Sequence, residues 1–373
     1  MKFSVSSKAL ATKLSVIDRV INSKNALPIL NDIVFAVNGE ELELTGSDQE
    51  NWLQTKLPIS DADGNGRFCV GAHGILEAIK SISDQPITIE ANIGVLKVTH
   101  ASGHFSLPTE EADQFPVATV PSGADVAEAA LSSEVMLANI SRTLFATASE
   151  ELRPVMNGIY FDFLSDHLAI VASDGHKLVR NKVLSVKTEK PASFILAKKP
   201  AAILKNILKG VEGVMDIRFD SKVAVISSED FTLTCRLIEG RYPNYNSVIP
   251  TTCPNVAVVD RQALNSALRR IIPFANDSSC MVRFEVAEDT LKLDAEDYDF
   301  SKTATEKVHC DYGGMSMAIG FKGSTFSELL DNLVSTQVRI ELSDPSRAGL
   351  IVPVEQREDE DILMLVMPML ING

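Results

Sequence analysis

RFCVGAHGILEAIKSI, at residues 67–82, is the stretch from which the fold can be predicted. Its apolar run Phe68–Val70 is typical of a strand, and Ile75, Ile79 and Ile82 follow at the three-to-four spacing of one helix face. The same phrase returns as SFILAKKPAAILKNIL at 193–208 and as SMAIGFKGSTFSELLDNL at 316–333. Because the three starts are nearly evenly spaced, they indicate an internal repeat of domain size.

A second phrase has the same spacing. It reads KFSVSSKALATKLSVIDRVI from Lys2, AALSSEVMLANISRTLFATA from Ala129 and VAVVDRQALNSALRRIIPFA from Val256. Each copy predicts a short strand, a polar joint and an amphipathic helix. The predicted apolar faces are Leu10, Leu14, Ile17 and Ile21; then Leu137, Ile140 and Leu144; then Leu264, Leu268 and either Ile271 or Ile272. The two phrases together predict three domains, at 1–122, 129–249 and 255–373, joined by linkers at 123–128 and 250–255.

Strand-like segments surround the two helices of each third. Ile33–Val37 and Glu41–Thr45, for example, flank the turn Asn38-Gly39. Meanders of this kind with two helices in every third predict an α+β fold of three repeated domains, each with two helices packed on antiparallel sheets.

Composition narrows the class of protein. The chain has 373 residues, 45% of them hydrophobic, and five cysteines that never form a CxxC pair, which argues against a disulfide framework or a zinc site. The N-terminus lacks a signal-peptide core, and the longest apolar run, Ile362–Ile371, is too short to cross a bilayer. We therefore expect a cytoplasmic protein without a membrane partner.

The net charge of −15 is unevenly distributed. The helical segments 7–24, 198–209 and 261–272 are net basic, so the acidic excess lies on strands and loops. Lys and Arg are good helix formers, which is one explanation, but Glu is equally good and is scarce in these helices. Six helices that share one surface would give a basic lining on an acidic body, suited to a phosphate backbone read without sequence.

Catalytic motifs are weak. Ser173-Asp174-Gly175-His176 has the residue types of a triad, but consecutive positions on a tight turn cannot align nucleophile, base and orienting acid. His100 and His104 flank a turn instead of sharing a helix face, the acidic run Glu358–Asp361 is typical of a solvated loop, and neither a Walker loop nor GxGxxG occurs. We expect no enzyme, metal or cofactor. A hydrolase using His176 and Asp174, and a monomeric interaction scaffold, are the alternative hypotheses.

Four motifs in order carry a family resemblance: LRPVMNGIYFDF at 152–163, VASDGHKLV at 171–179, IEGRYPNY at 238–245 and LVMPM at 365–369. The openings KFSV and NALPIL (25–30) add to it. With these the chain resembles the bacterial sliding clamps, the beta subunits of DNA polymerase III. The resemblance implies three copies of one domain and a head-to-tail dimer that forms a ring around duplex DNA. It also implies a non-catalytic processivity factor that tethers the polymerase.

The resemblance further implies a cleft between the second and third domains. Partners would insert a short peptide there: the polymerase III catalytic subunit, the clamp loader and other proteins with a clamp-binding motif. The matching positions are Arg153, Met156, Ser173, Gly175, His176, Lys177, Leu178, Pro243, Val248, Val366, Met367, Pro368 and Met369. Met367 and Met369, two apart on one expected strand, should point to one face. Lys177 stands where the family often has Arg, and Thr325 where an aromatic often gates the cleft.

Two further sets of residues complete the expectations. Lys24, His73, Lys198 and Lys199 should face the DNA, with His73 as the first-domain counterpart of Lys198. Phe105 and Leu107 on one side, and Phe274 on the other, should form the interface of the homodimer.

Overall fold

The structure is a computed structural model that describes residues 1–22, 24–150 and 152–371. In these ranges the helices are α1 (Ser7–Ile17), α2 (Ala72–Lys80), α3 (Ser133–Thr143), α4 (Lys198–Ile207), α5 (Arg261–Ile271) and α6 (Gly323–Asp331). The first strands are β1 (Lys2–Ser6), β2 (Asp32–Asn38), β3 (Glu41–Ser47), β4 (Asn51–Pro58), β5 (Ser60–Asp63), β6 (Gly66–Gly71), β7 (Pro86–Asn92), β8 (Val95–His100) and β9 (Gly103–Glu111). The next are β10 (Ala127–Ser132), β11 (Gly158–Phe163), β12 (Leu168–Ser173), β13 (Lys177–Val183), β14 (Ala192–Ala197), β15 (Val214–Phe219), β16 (Val223–Ser227) and β17 (Phe231–Arg236). The last are β18 (Asn255–Asp260), β19 (Met281–Ala287), β20 (Thr290–Asp297), β21 (Lys302–Tyr312), β22 (Met317–Lys322), β23 (Gln337–Leu342), β24 (Gly349–Pro353), β25 (Glu360–Val366) and β26 (Pro368–Met369).

The chain forms two compact units. Unit 1 contains residues 1–137 and 199–237, and unit 2 contains residues 138–198 and 238–373. Each unit holds one sheet, with thirteen strands among the described residues, in the orders β10-β15-β16-β17-β4-β3-β2-β6-β9-β8-β7-β1-β5 and β14-β11-β12-β13-β25-β24-β23-β18-β21-β20-β19-β22-β26. Strands from the second third therefore continue the sheet of the first third in unit 1 and that of the last third in unit 2.

Six times a strand runs directly into a helix, as the two sequence phrases predict. The helices begin at 7, 133 and 261 after the first phrase and at 72, 198 and 323 after the second. Ile75 and Ile79 on α2, and Phe326, Leu329 and Leu330 on α6, are fully buried. The antiparallel sheets and the helices packed on them confirm the α+β prediction.

Strand pairing fixes which residues correspond in the three copies. Leu44, Ile170 and Leu293 are equivalent because each pairs with the preceding phenylalanine strand, at Phe35, Phe161 and Phe284. The next strand of each meander places Thr55, Asn181 and Glu306 opposite them. In the second meander of each copy, Phe105, Leu233 and Met364 are equivalent, since they pair with Val98, Ile226 and Ile351.

Two junctions between repeats have identical register. In unit 1, β17 pairs with β4 so that Leu233 lies opposite Leu53. In unit 2, β25 pairs with β13 so that Met364 lies opposite Val179. Since Leu53 and Val179 are themselves equivalent positions, two residues before Thr55 and Asn181, one rule of pairing builds both junctions.

The predicted helix faces need three corrections. Helices α1, α2 and α3 end at Ile17, Lys80 and Thr143, so the predicted face residues Ile21, Ile82 and Leu144 lie beyond them. On α3, Met136 and Ile140 are fully buried and Leu137 is half-buried, because the inward face is turned by one residue from the predicted one. On α5 the fully buried residue of the uncertain pair is Ile271.

Candidate functional sites

The turn between β12 and β13 is held by its own side chains. The Asp174 carboxylate accepts hydrogen bonds from the backbone N–H of His176 (2.8 Å) and of Lys177 (2.9 Å). The Ser173 hydroxyl donates to the Lys177 carbonyl at 2.8 Å and accepts from the Gly175 N–H. Gly175 has φ +88°, where a side chain would be strained, and a Cβ there would lie 3.1 Å from an Arg153 guanidinium nitrogen. These bonds present His176, which is exposed, and Arg153 at one rim.

An apolar cluster lies beside this turn on one face of the unit 2 sheet. Its core includes Leu178, Leu365, Leu350, Tyr242 and Tyr245, all buried. Tyr160, on the same face, stacks on Tyr242 with ring centroids 4.7 Å apart and meets Tyr245 edge-on at 6.2 Å. The Tyr245 hydroxyl donates to Asp162 at 3.1 Å, and burial raises the pKa of both Tyr242 and Tyr245. The two tyrosines stand in the IEGRYPNY motif, yet their stacking partner could not be identified from sequence.

The thirteen predicted cleft residues all lie in unit 2, but on both faces of its sheet. Leu178 lies on the face that carries Tyr160, Tyr242 and Tyr245, called the tyrosine face below. Pro243 and Val248 are exposed on the segment that carries Tyr242 and Tyr245. Val366 instead packs into the helix-side core, with Val179 and Ala146. Lys177 also leaves the tyrosine face: its Nζ lies 2.6 Å from Glu328 on α6, 3.5 Å from Asp174, and 5.4 Å from the centre of the Phe145 ring.

The C-terminal segment differs from the single strand that the sequence predicts. Strand β25 ends at Val366, and the Met367 N–H donates to the His176 carbonyl at 2.8 Å. Pro368 and Met369 form β26, which pairs with β22 opposite Phe321 and Gly320. The chain turns away because Met369 finds backbone partners on a different strand. Met367 is 41% exposed at the rim beside His176. Met156, three residues after Arg153, is buried.

The predicted DNA-facing residues lie in both units. Lys24 and His73 are exposed in unit 1, and Lys198, in unit 2, donates to the Ser149 hydroxyl. Burial, and secondarily the charge of Lys177, lower the pKa of Lys198. Lys199 is different: its Nζ lies 2.6 Å from the carboxylate of Asp48, which is 5% exposed, and also donates to the Val20 carbonyl.

Helix starts also correct one correspondence. Because α2 begins at Ala72 and α4 at Lys198, His73 is the counterpart of Lys199, whereas Lys198 corresponds to Ala72.

Helix α5 is basic, and its arginines have partners. Arg261 donates to the Ser335 and Leu330 carbonyls, Arg269 pairs with Asp331 at 2.7 Å, and Arg270 makes a two-pronged pair with Glu306 at 2.8 and 2.9 Å. Asp331 also accepts from Asn265, which joins α5 to α6. Arg269 and Arg270 remain more than half exposed, so their charge still reaches solvent in a screened form.

Apart from the strands that end the two sheet orders, β9 and β21 each have an edge that is open over part of its length in the described parts of the chain. Strand β9 pairs with β8 over residues 103–108, and its other edge meets β6 only at 109–111. Strand β21 pairs with β20 over 302–309, and its other edge meets β18 only at 310–312. Residues 103–108 and 302–309 therefore each present an unpaired edge of backbone donors and acceptors.

Residues at the proposed interface are more exposed than the equivalent residues at the two closed junctions. Phe105 is half-buried, whereas its counterparts Leu233 and Met364, at the two closed junctions, are fully buried. The same is true of Leu107, whose counterparts are Cys235 and Val366. Phe274, in the short turn after α5, is 41% exposed, whereas Val20 and Ala146, at the same distance after the starts of α1 and α3, are fully buried. All three predicted interface residues occupy positions that are covered wherever the junction is closed.

The Ser173–His176 turn has no triad geometry, because the Ser173 hydroxyl and the Asp174 carboxylate are committed to the backbone of the turn. Within the described ranges, no cluster of three or more His, Cys, Asp or Glu side chains could hold a metal ion. Nor does any helix in those ranges have the length and apolarity needed to cross a bilayer.

Known proteins similar to this chain cover its whole length. Family models described as the DNA polymerase III beta subunit match three times: the N-terminal domain at residues 1–119, the central domain at 130–244 and the C-terminal domain at 246–370. The beta sliding clamp of Pseudomonas putida is 29% identical over 99% of this chain and 100% of its own, and that of Haemophilus influenzae is 26% identical with the same coverage. The crystal structure of the DnaN sliding clamp from Pseudomonas aeruginosa bound to griselimycin superposes with a TM-score of 0.93 at 28% identity, covering 100% of both chains.

Proposed function

The chain belongs to the DNA polymerase III beta subunit family, and from this premise we propose that two copies close head to tail into a ring around duplex DNA. Family membership makes it a sliding clamp, a non-catalytic processivity factor that tethers the polymerase. We further propose that it acts on duplex DNA in the cytoplasm. The proposed domain boundaries are 1–122, 129–249 and 255–373; the family-model matches at 1–119 and 130–244 lie close to the first two, whereas the third match begins earlier, at 246.

The main observation in favour of the ring is that the same junction occurs twice within the chain. Both closed junctions use one register, so a third made by the open edges should use it too. In that register Phe105 of one chain lies opposite Ala304 of the partner chain, Leu107 opposite Lys302, and Gly103 opposite Glu306. The interface is heterologous, and it closes because each chain offers one edge of each kind.

Paired cysteines test this register. Ser106 and Thr303 are exposed and would lie directly opposite each other, so Ser106→Cys combined with Thr303→Cys should form an intersubunit disulfide under mild oxidation. Two such bonds per ring give a covalent dimer that survives denaturing electrophoresis. The control combines Ser106→Cys with Lys307→Cys, four residues away on the same face of β21. Equal cross-linking of both pairs, or of neither, would contradict the register.

The tyrosine face of unit 2 is the proposed peptide site. Met367 and His176 stand at its rim, and Leu178, Tyr242 and Tyr245 form its floor. A flexible thioether at the rim can adapt to several apolar anchors. A clamp-binding peptide of the polymerase III catalytic subunit, the clamp loader or a repair protein should therefore bind here.

The test is fluorescence anisotropy of a labelled peptide from the cognate polymerase. Leu178→Ala should weaken the peptide while circular dichroism shows an intact fold, whereas Val366→Ala acts on the helix-side core and should lower stability first. Point variants are preferable to deletion of the tail, which would also remove β26 from β22. Unchanged affinity in folded Leu178→Ala would show that the peptide binds elsewhere.

DNA contact is proposed for Lys24, His73 and Lys198. Their support is the basic charge of the helical segments and their exposure or partial exposure, at the start of α2 for His73, at the start of α4 for Lys198 and after the end of α1 for Lys24. Lys199 is a weaker candidate, because its ammonium is already bound by Asp48 and the end of α1.

A further inference from the structure

His100 is the last residue of β8, the strand that pairs with β9 on the side away from the open edge of β9. It pairs with Gly103 in the β8–β9 hairpin, so its imidazole lies beside a residue that has no side chain. A Cβ on Gly103 would lie 3.8 Å from the His100 Nε2. The Ser102 N–H donates to the Nδ1 at 3.4 Å, which favours the tautomer with the proton on Nε2. The Nε2–H of His100 is thus directed to the space above Gly103.

Glu306 has the matching position on β21. It is the counterpart of Thr55 and Asn181, whose side chains are buried at the closed junctions. Its carboxylate lies on the helix side of the sheet and is held by Arg270, with 27% of the side chain exposed. The junction register places this carboxylate opposite Gly103 of a second chain, where His100 leaves room for it.

We propose that the Nε2–H of His100 in one chain donates to the Glu306 carboxylate of the partner chain at each seam, so that protonation of His100 tightens the ring. This inference rests on the proposed head-to-tail ring and adds pH regulation to it. The cluster at each seam is Arg270, Glu306 and the partner's His100.

Charged groups also lie on the elements adjacent to His100. On its own chain these are Asp84 in the loop before β7, Lys97 on the opposite face of β8 and His104 on the opposite face of β9. From the partner chain they are Glu306, Arg270 and, four residues from Glu306 on the same face of β21, Lys302. Glu306 is thus the carboxylate that the register brings to His100.

The sign follows from linkage. A neighbouring carboxylate raises the pKa of a histidine above its free-chain value, so the extra affinity is fully present below the free-chain pKa and is lost as the pH rises through the pKa in the ring. Ordinary histidine titrates near about 6.5, which places the change between about pH 6 and 8. A rise of only about half a unit at each of two seams weakens the dimer about sixfold between pH 6 and pH 8.

The test is the dimer dissociation constant, measured between pH 6 and pH 8 by fluorescence-detected sedimentation of the full chain. The dissociation constant of the wild type should be about sixfold higher at pH 8 than at pH 6, and His100→Gln and Glu306→Gln should each flatten that dependence. His104→Gln is the matched control, since it removes a histidine from the other face of the same β8–β9 hairpin and should keep the slope. Circular dichroism at both pH values confirms folding of each variant.

The outcomes separate this inference from the ring itself. A stable dimer whose affinity does not change with pH, or a slope retained in His100→Gln, overturns the His100–Glu306 contact and leaves the ring intact. A wild-type chain that stays monomeric at micromolar concentration at every pH overturns both.

Discussion

Phe274 gives the sharpest prediction for the subunit interface. It is 41% exposed, although its counterparts Val20 and Ala146 are fully buried. A free phenylalanine side chain has roughly 200 Å² of surface, so about 80 Å² would be buried at each seam. At ~25 cal/mol per Å² this contributes about 2 kcal/mol per seam and about 4 kcal/mol for a ring with two seams. Phe274→Ala should therefore weaken the dimer roughly a thousandfold.

Phe274→Arg should be more severe, because it places an unpaired charge in the seam and should leave monomers at micromolar concentration. Val214, which is 63% exposed on β15, provides the control, since Val214→Arg should leave the dimer unchanged. Sedimentation equilibrium over a concentration series gives all the constants. If Phe274→Arg dimerises as tightly as Val214→Arg, the reasoning from counterpart burial is wrong.

Three other predictions concern DNA, the cleft and pH. The double variant Lys24→Ala with Lys198→Ala should reduce the salt dependence of DNA binding by about two units of slope, equally for unrelated sequences. Lys199→Ala should instead lower the free energy of unfolding by about 2 kcal/mol, because it leaves the buried Asp48 carboxylate without its ion-pair partner. Met367→Ala should weaken a clamp-binding peptide by about 1–2 kcal/mol in anisotropy titrations, and no change would remove Met367 from the site. Burial, and secondarily a neighbouring glutamate, raise the pKa of Asp32 to about 6, so the free energy of unfolding should fall as the pH rises from about 4 through 6. Asp32→Asn should remove this dependence. After discounting for solvent screening, it should raise the free energy of unfolding at pH 8 by about 1 kcal/mol in urea titrations.

Local periodicity predicted the helices and strands well, because each repeat phrase contains its own strand, joint and apolar face. Phe326, Leu329 and Leu330 on α6, and Leu333 just after its end, form the predicted face and are all buried. Helix α3 was predicted one residue out of phase because Met136 and Leu137 are adjacent and equally apolar. Only the neighbouring strands decide which of the two points inward.

The contacts between distant segments could not be predicted from periodicity. The pairing of Lys199 with Asp48 joins residues far apart in the chain, and it changes a candidate DNA ligand into a structural ion pair. The turn at Met367 depends on β22, which offers Pro368 and Met369 a free edge. The face occupied by Lys177 likewise depends on Glu328 and Phe145. Each of these is decided by a partner that the local sequence does not contain.

Topological retention on DNA tests the central claim most directly. The chain is loaded by its cognate loader onto a nicked circular plasmid, and the bound protein is measured after gel filtration in high salt, before and after the plasmid is cut once. A closed ring should stay on the circle and be lost within minutes from the linear molecule, because it can slide off the ends. Equal retention on circular and linear DNA, or none on either, would contradict the ring.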